Sequence, residues 1–572
     1  MRCWRGVSLL NLLFCAVVGS VLGNRTALGQ LEQTSSLQLT DVSEQVNLAF
    51  RHTDGSNGQH YVVEPFASGM AVFDYDGDGL DDIYFLNGAR LPARGQEWLS
   101  EPGPMAPKNR LFRNLGNWEF MDVTDSAGVG DTGYGLGVVC GDYDNDGDPD
   151  VYVSNFGENK FYRNNGDGTF EDATQFAGVE AGRLFGAGVT FFDMDNDGDL
   201  DLYCANYQKF EFKDHIERFI GNYQFHPGPT DYAPEQDLLF RNDGQGQFTD
   251  VSEESGIASF AGTGMGVLAA DFDRDGDCDI FVANDTRANF LWINQGDGEF
   301  DEQAILNGVA LDGAGKPNGN MGVEARDLDG DGWLDLLSTT YQDEMPVLYG
   351  SFGEGFFEDG TNQARLDRRL FAHVHWGIGL EDFNHDGLCD IFIACGHFMD
   401  NIAYIRDTTR VKVENFLMVN QGNNRFSTVA QRSSSGLAVQ ESSRAAGFAD
   451  FDRDGDQDIV VLNANQRPSL LRNDLHDAAG SWLRVRLCGT DSNRDGAGAM
   501  VEVRSLSAEQ ATLQKQLAAI HLGRGYQSHY GSKVHFGLTA LTKSVEVRIM
   551  WPSGKKSVHS VTDLGSVQTF VE

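Results

Sequence analysis

Apolar residues come in short β-rich runs along most of this chain. DIYFLN, DVYVSN, DLYCAN, DIFVAN, DLLSTT, DIFIAC and DIVVLN recur between residues 82 and 463. The stretches before them are extended and glycine-bearing, as in GYGLGVVCGD and FGAGVTFFD. A second pattern recurs with these runs: N-x-L-F-R-N, a Gly/Asn/Asp turn, then F-x-D-[VA]-[TS]. It is read at 109–124, 159–174 and 238–252, and in part from Asn289 and Asn415. Apolar run, turn residues and apolar run together signal a β-hairpin, so each repeat predicts about four short strands.

Between the first two strands of every repeat lies an aspartate ladder, D-x-[DN]-x-D-G-x-x-D. The seven copies place Asp74, Asp76, Asp78 and Asp82; Asp142, Asp144, Asp146 and Asp150; Asp193, Asp195, Asp197 and Asp201; Asp271, Asp273, Asp275 and Asp279; Asp327, Asp329, Asp331 and Asp335; Asp382, Asn384, Asp386 and Asp390; and Asp450, Asp452, Asp454 and Asp458 at positions 1, 3, 5 and 9. Clustered carboxylates repel unless a cation sits among them. Oxygens at positions 1, 3 and 5 face the inside of a tight turn, and Gly at position 6 permits a left-handed backbone. An all-oxygen shell of about 6–8 ligands suits Ca²⁺. The expectation is up to seven structural Ca²⁺ ions, with Asn384 weakening the sixth site. The alternative is a set of acidic surface turns without ions. An EF-hand is excluded, because position 12 holds Phe85, Val153, Cys204, Val282, Ser338 and Ile393 in the first six ladders and is apolar in the seventh, where a Glu is required.

Successive ladders start 68, 51, 78, 56, 55 and 68 residues apart. Four strands at this period describe a propeller blade. The chain is therefore read as all-β: a seven-bladed propeller over residues 30–474, followed by a small β domain over 480–572. An open solenoid of hairpins is the alternative. Only one strand, RPSLLRN at 467–473, follows the seventh ladder. The missing outer strand is found at the other end, in Leu37 to Val42, which predicts that the N-terminal segment completes the last blade and hides its free edge.

With 43 Lys/Arg against 85 Asp/Glu, the formal charge is −42. Seven Ca²⁺ would still leave about −28, which argues against nucleic acid and anionic membranes as partners. Residues 1–29 read as a secretory signal: Arg2 and Arg5, an apolar core from Val7 to Leu22, then Ala27-Leu28-Gly29. A membrane anchor is the competing reading, but the apolar stretch is short of the ~20 residues that span a bilayer. The location expected is secreted, periplasmic or cell-surface. Of eight cysteines, Cys3 and Cys15 fall in the signal. Cys140, Cys204, Cys278, Cys389, Cys395 and Cys488 include no C-x-x-C, and several sit in strand runs as buried thiols. From Gly480 onward, 11 Lys/Arg face 7 Asp/Glu. That contrast predicts either a module docked on the acidic propeller or an independent domain. Its strands are WLRVRL, AMVEVRSL, KVHFGL, SVEVRIMW and KSVHSV, with a helix expected around Glu509 to Ala519.

The ladders and G-x-G strands resemble the FG-GAP/VCBS propeller repeat found in integrin α chains. One copy keeps a literal Phe185-Gly186, and the Gly-Ala-Pro element is absent. The C-terminal segment resembles the ASPIC/UnbV domain, by Ser492 to Ala499, Gly523-Arg524-Gly525-Tyr526-Gln527-Ser528, His535-Phe536-Gly537-Leu538 and Trp551-Pro552-Ser553-Gly554. The order of the two is similar to the cartilage acidic protein-like family. That resemblance implies extracellular Ca²⁺-binding proteins with adhesion or matrix roles, and no reaction.

No G-x-S-x-G, H-E-x-x-H or P-loop is present. His373, His375 and Trp376 on one strand, with His385 and His397 nearby, offer a transition-metal pair or merely packed histidines. The insertion at 207–236 is long for a blade connection. Its Tyr223, Phe225, His226 and Tyr232 offer a stacking surface for sugar or peptide, or a simple cover. The function read from the chain is extracellular binding of a protein or glycan, in adhesion, surface assembly or glycan recognition, and not an enzyme. The rival is a secreted polysaccharide hydrolase or metal-dependent enzyme.

Overall fold

The computed structural model describes residues 37–46, 48–94, 96, 106–430, 434–475 and 480–572. The proposed signal, 1–29, lies outside the described residues.

Seven four-stranded antiparallel blades form the bulk of the chain; the second and third are joined where Leu184 and Phe185 pair with Gly157 and Phe156. In blade one the strands are Met70–Phe73, Asp82–Phe85, Arg110–Asn114 and Phe120–Asp122. The first strands of the others are Tyr134–Gly141, Leu184–Phe192, Gly264–Ala270, Val323–Arg326, His375–Glu381 and Ser443–Ala449. Each first strand packs against the first strand of the next blade, and the seventh packs against the first. The ring is closed. Apolar side chains fill the wedges between neighbouring sheets, as where Phe85 and Phe112 of blade one meet Phe448 and Phe451 of blade seven.

The last blade closes as its missing strand required. Leu39–Asp41 pairs antiparallel with Ser469–Asn473, setting Leu39 opposite Asn473 and Asp41 opposite Leu471. One blade therefore joins both ends of the repeat array, and its outer edge is paired rather than open.

The C-terminal region packs a three-stranded sheet, ordered Val534–Leu538, Ser481–Cys488 and Ser566–Val571, on a four-stranded one. The helix expected near 509–519 is absent. Thr512–Ala519 is a strand paired with Met500–Leu506. Its Leu, Gln, Lys and Ala favour a helix locally, but a tight turn, with Gln510 at φ 61°, folds it back onto a ready strand edge. Tertiary hydrogen bonding overrides the weak local preference.

This region is not an independent appendage. Its segment from His521 to Tyr530 enters the axis of the ring. Leu522 bridges to Phe191, Gly525 to Val323, and His529–Tyr530 lies parallel to Ala71 and Val72. Val138 N–H donates to Gln527 O, His521 Nδ1 lies 2.9 Å from Ala269 O, the Tyr530 hydroxyl oxygen lies 3.2 Å from Ile378 O, and the Tyr530 ring packs edge-on against Phe448. All seven first strands are touched. The segment turns through left-handed Gly523 (φ 96°) and Gly525 (φ 68°), and a Cβ on Gly523 would lie 2.2 Å from Val189 O. Arg524 is buried over the Tyr530 ring, 3.9 Å from Glu324, and Tyr530 O–H donates to the same carboxylate.

The charge contrast acts at the face that carries the ladders. Lys533 Nζ lies 2.8 Å from Asp81 and Arg484 lies 3.8 Å from Asp450. The backbone adds a neutral contact, Asp142 N–H donating to Asp495 at 2.8 Å, which sets a like charge beside Asp142. Burial opposes ionisation of Asp81, yet Lys533 and Arg484 outweigh it and hold its pKa down.

Because the inserted segment touches the first strand of every blade, propeller and C-terminal sheets are expected to unfold in one calorimetric transition. Tyr526 is fully buried, donates to Phe66 O and stacks edge-on against Trp376. Tyr526→Ala should cost about 3–5 kcal/mol in denaturant titrations. Two separate transitions in the unmodified chain would contradict the coupling.

Candidate functional site

Every ladder joins the first and second strands of its blade, from Asp74–Asp82 in blade one to Asp450–Asp458 in blade seven. The turn is the same each time. Position 6 is left-handed throughout, from Gly79 (φ 85°) to Gly455 (φ 100°). So is position 4, including the non-glycine residues Asn145, Asn196, Arg274, His385 and Arg453 at φ 56–65°.

The carboxylates fix this turn through backbone N–H groups. The position-6 N–H donates to position 1: Gly79 to Asp74, Gly147 to Asp142, Gly198 to Asp193, Gly276 to Asp271, Gly332 to Asp327, Gly387 to Asp382 and Gly455 to Asp450, at 2.7–3.1 Å. The position-7 N–H donates to position 5, at Asp78, Asp146, Asp197, Asp275, Asp331, Asp386 and Asp454. Asp76, Asp144, Asp273, Asp329, Asn384 and Asp452 at position 3 accept from position 5.

Position 9 carries a second task besides the one its spacing suggests. The sequence places it as the last ligand of an ion. In the structure one oxygen accepts the N–H of position 2, and the other accepts an N–H from the third strand. Asp82 joins Tyr75 and Asn114, Asp150 joins Tyr143 and Asn164, and Asp201 joins Met194 and Asn242. Asp279, Asp335, Asp390 and Asp458 repeat the arrangement. Asp82 and Asp279 nevertheless converge with positions 1 and 3 of their ladders, the donor oxygens lying within 4.8 Å of one another. In the second and third ladders the converging trios are Asp142, Asp144, Asp146 and Asp193, Asp195, Asp197. In the sixth, Asn384 Nδ2 donates to Asp386 at 3.1 Å, so its amide consumes a neighbouring carboxylate oxygen.

The third-strand asparagine, present in N-x-L-F-R-N but given no role by sequence reasoning, ties blades together. Asn164 Nδ2 donates to Tyr75 O of the preceding blade at 2.8 Å. Asn242, Asn294, Asn420 and Asn473 do the same to Tyr143, Met194, Leu328 and Phe383. Asn114 reaches Phe451 at 3.1 Å and closes the ring. Blade five has Ser351 at this place and lacks the latch. The arginine beside this asparagine supplies charge: Arg113 Nε lies 2.7 Å from Asp76 and its Nη2 3.0 Å from Asp78. Position 4 links neighbouring ladders, with Asn145 donating to Gly198 O, Asn196 to Asp277, Arg274 to Gly332 O and Arg453 to Asp78 O.

Burial, with like charge beside it, raises the carboxyl pKa values. Asp142 is pushed up to about 8, and burial brings Asp193, Asp271 and Asp327 to about 7. Burial also pushes Asp82 up to about 9 and Asp335 to about 8. Four carboxylate oxygens, Oδ1 of Asp74, Asp142, Asp195 and Asp271, are buried without a hydrogen-bond partner.

Two other candidates resolve differently. His373 and His375 do not form a metal pair: His375 Nε2 lies 2.7 Å from Leu370 O, while His373 Nδ1 lies 3.0 Å from Thr409 Oγ1. The 207–236 insertion lies on the face opposite the ladders. Its hairpin, Arg218–Ile220 with Tyr223–Phe225, projects Tyr223, which stacks on Tyr404 of blade six at 5.5 Å and 4° between planes. Tyr223 is 40% and Tyr404 76% exposed. Phe225 and His226 sit deeper, and Tyr232 packs edge-on against Phe210. The described cysteines are free thiols, all buried except the half-buried Cys488. No helix among the described residues is long and apolar enough to cross a membrane.

Residues 74–153, 142–204, 230–282, 271–338 and 382–461 match the FG-GAP-like repeat family, and residues 489–572 match ASPIC and UnbV. The chain is similar to Cartilage acidic protein 1 of Homo sapiens, 29% identical over 293 residues, covering 50% of this chain and 39% of that protein. The Xenopus tropicalis protein of the same name is 24% identical over 516 residues, 86% of this chain and 72% of that one. Among solved structures it is similar to a Burkholderia pseudomallei lectin, with TM-score 0.41, 11% identity, and 72% and 96% of the two chains covered. An Agrocybe aegerita lectin that recognises terminal N-acetylglucosamine aligns at TM-score 0.36 and 17% identity, over 63% and 79%.

Asn164→Ala would strand Tyr75 O and Pro149 O, and should cost about 1–3 kcal/mol in denaturant titrations. A pH dependence also follows. A carboxyl with a raised folded pKa contributes stability at low pH that is lost as pH rises through that pKa. The buried histidines His375, His521 and His529 are held below their ordinary 6.5 by burial, so they oppose this trend only below pH 6.5. In excess chelator the melting temperature should therefore fall from pH 6.5 to about 9. A rise over that window would show that the ladder carboxylates are not held protonated by the fold.

Proposed function

We propose, from the premise that this chain belongs to the FG-GAP-like repeat family and ends in an ASPIC and UnbV region, that it is a secreted calcium-binding propeller acting by binding and not by turnover. The observation that carries the ion is the set of buried, unpartnered carboxylate oxygens of Asp74, Asp142, Asp195 and Asp271, each inside a trio of converging carboxylates. Such a donor set is all oxygen and negatively charged, which fits Ca²⁺. Positions 1, 3 and 5 of each ladder would hold it, with Asp82 and Asp279 at position 9 contributing in the first and fourth. When bound, the ion neutralises the mutual repulsion of carboxylates that the fold has already placed together. Its role is structural.

Secretion is supported by the apolar leader at residues 1–29 and by relatives named for cartilage. The surface offered to an extracellular protein or glycan is the stacked Tyr223–Tyr404 pair with Ile220 opposite Tyr223. Exposed, mutually supported aromatic rings give apolar contact area at small entropic cost, for a sugar face or a peptide. Adhesion, surface assembly and glycan recognition all use such contacts.

The test begins with the melting temperature of residues 30–572 in excess chelator and in millimolar Ca²⁺. Each site with Ca²⁺ at 100 times its Kd adds about 2.7 kcal/mol, so several sites should raise the transition by tens of degrees. An unchanged transition would sink the calcium reading. Asp271→Asn should remove one equivalent from the calorimetric Ca²⁺ stoichiometry. The pair Tyr223→Ala and Tyr404→Ala should weaken retention on extracellular matrix or a glycan array roughly tenfold, about 1.4 kcal/mol, without moving the melting temperature. Turnover of a polysaccharide by the unmodified protein would favour the hydrolase instead.

A further inference from the structure

The face opposite the ladders holds a cluster that calcium chemistry does not use. Glu64 and His226 are 5% and 9% exposed, and His226 Nε2 lies 3.1 Å from Glu64 Oε2. His60 is half-buried, its ring edge-on to that of His226 at 4.9 Å between centroids. One ring nitrogen from each histidine and one Glu64 oxygen lie within 4.8 Å of one another. His226 Nδ1 is buried and has no hydrogen-bond partner.

The three residues come from two places in the chain and are held together by other bonds. Glu64 Oε1 accepts from Tyr61 N–H at 3.0 Å, which leaves Oε2 directed at His226. The insertion hairpin that carries His226 is anchored beside His60, since Gln224 Nε2 donates to Gln59 O at 3.4 Å and Asn401 Nδ2 donates to Gln224 O at 3.1 Å. Phe398 closes one side, edge-on to His226 at 5.6 Å.

We infer that His60, Glu64 and His226 form a site for one divalent transition-metal ion of the zinc class, separate from the ladders. Two imidazoles and one carboxylate are the donors such an ion prefers and Ca²⁺ does not. In a tetrahedral site with bonds of about 2.0–2.1 Å, ligand atoms stand roughly 3.4 Å apart. The Glu64–His226 pair already has this spacing, and His60 closes by a small side-chain shift. Three protein ligands leave the fourth position open. The metal would pin the insertion to the segment before blade one, in the same hairpin that presents Tyr223. The open position would accept one oxygen or nitrogen donor from water or a bound ligand.

The test uses the full chain without residues 1–29, stripped with chelator and dialysed. Zn²⁺ is titrated calorimetrically in millimolar Ca²⁺ and again without Ca²⁺, so the result stands whether or not the ladders bind calcium. One equivalent should bind in both conditions. Co²⁺ in its place should show the visible d–d absorption of a four-coordinate nitrogen and oxygen site. His226→Gln, His60→Gln and Glu64→Gln should each weaken Zn²⁺ binding by roughly 100-fold or more, beyond the 10–100-fold of outer-shell changes. His373→Gln should leave it unchanged. The unaltered melting temperature of each metal-free variant reports that it folds. If Glu64→Gln fails that check, the two histidine variants decide. Absence of a stoichiometric Zn²⁺ equivalent, displacement of Zn²⁺ by millimolar Ca²⁺, or binding that survives the histidine substitutions would each overturn the site.

Discussion

The structure depends on one recurring interaction: a buried position-9 carboxylate that accepts one N–H from its own ladder and one from the third strand of its blade. In blade two, Asp150 bonds Tyr143 N–H and Asn164 N–H at 3.2 and 2.8 Å. Those two bonds set the register of three strands at once, because a strand shifted by one residue would turn Asn164 to the other face. With Asn164 so placed, its amide reaches Tyr75 O in the blade before. The local turn is thereby converted into a contact between blades. Blade five, where Ser351 replaces the asparagine, keeps the first half of the device and loses the second.

The cost of this arrangement is electrostatic. Concentrating carboxylates at one end of every blade, in a chain of net charge −42, opposes folding unless positive groups are brought to the same place. The molecule supplies them at three scales. Arg113 lies within its own ladder's reach, Arg453 of the seventh ladder bonds the first, and Lys533 and Arg484 come from the C-terminal sheets. The proposed calcium ions would complete the same balance. The basic C-terminal region thus has a physical reason to sit on the ladder face, and its segment through the axis fastens it there.

Much of the fold was legible because repetition amplifies weak signals. Each ladder alone is ambiguous, but the same nine-residue pattern between β-rich runs fixed the blade count, and the one incomplete repeat pointed to Leu39–Asp41 as its missing strand. The errors lie where a residue has no repeated context. Thr512–Ala519 has helix-favouring side chains and became a strand because Met500–Leu506 offered an edge. For His373 and His375 the spacing left a metal pair and packed histidines both open, and the fold gave each its own oxygen partner. The asparagine latch was visible as a repeated letter, but its partner carbonyl lies about 90 residues away in most blades, where no local pattern reaches.

By itself the sequence determined what short-range chemistry dictates: left-handed glycines at position 6, carboxylates lining a turn, alternating strands, and a strongly acidic chain of net charge −42. Only the tertiary structure decided what depends on distant segments meeting. It put the position-9 aspartates to work between strands and drew residues 521–530 into the axis of the ring. On the opposite face it set His226 of the insertion 3.1 Å from Glu64. The reason is that hydrogen-bond geometry and burial are properties of neighbours in space, and the neighbours of these residues are separated in sequence by up to several hundred positions.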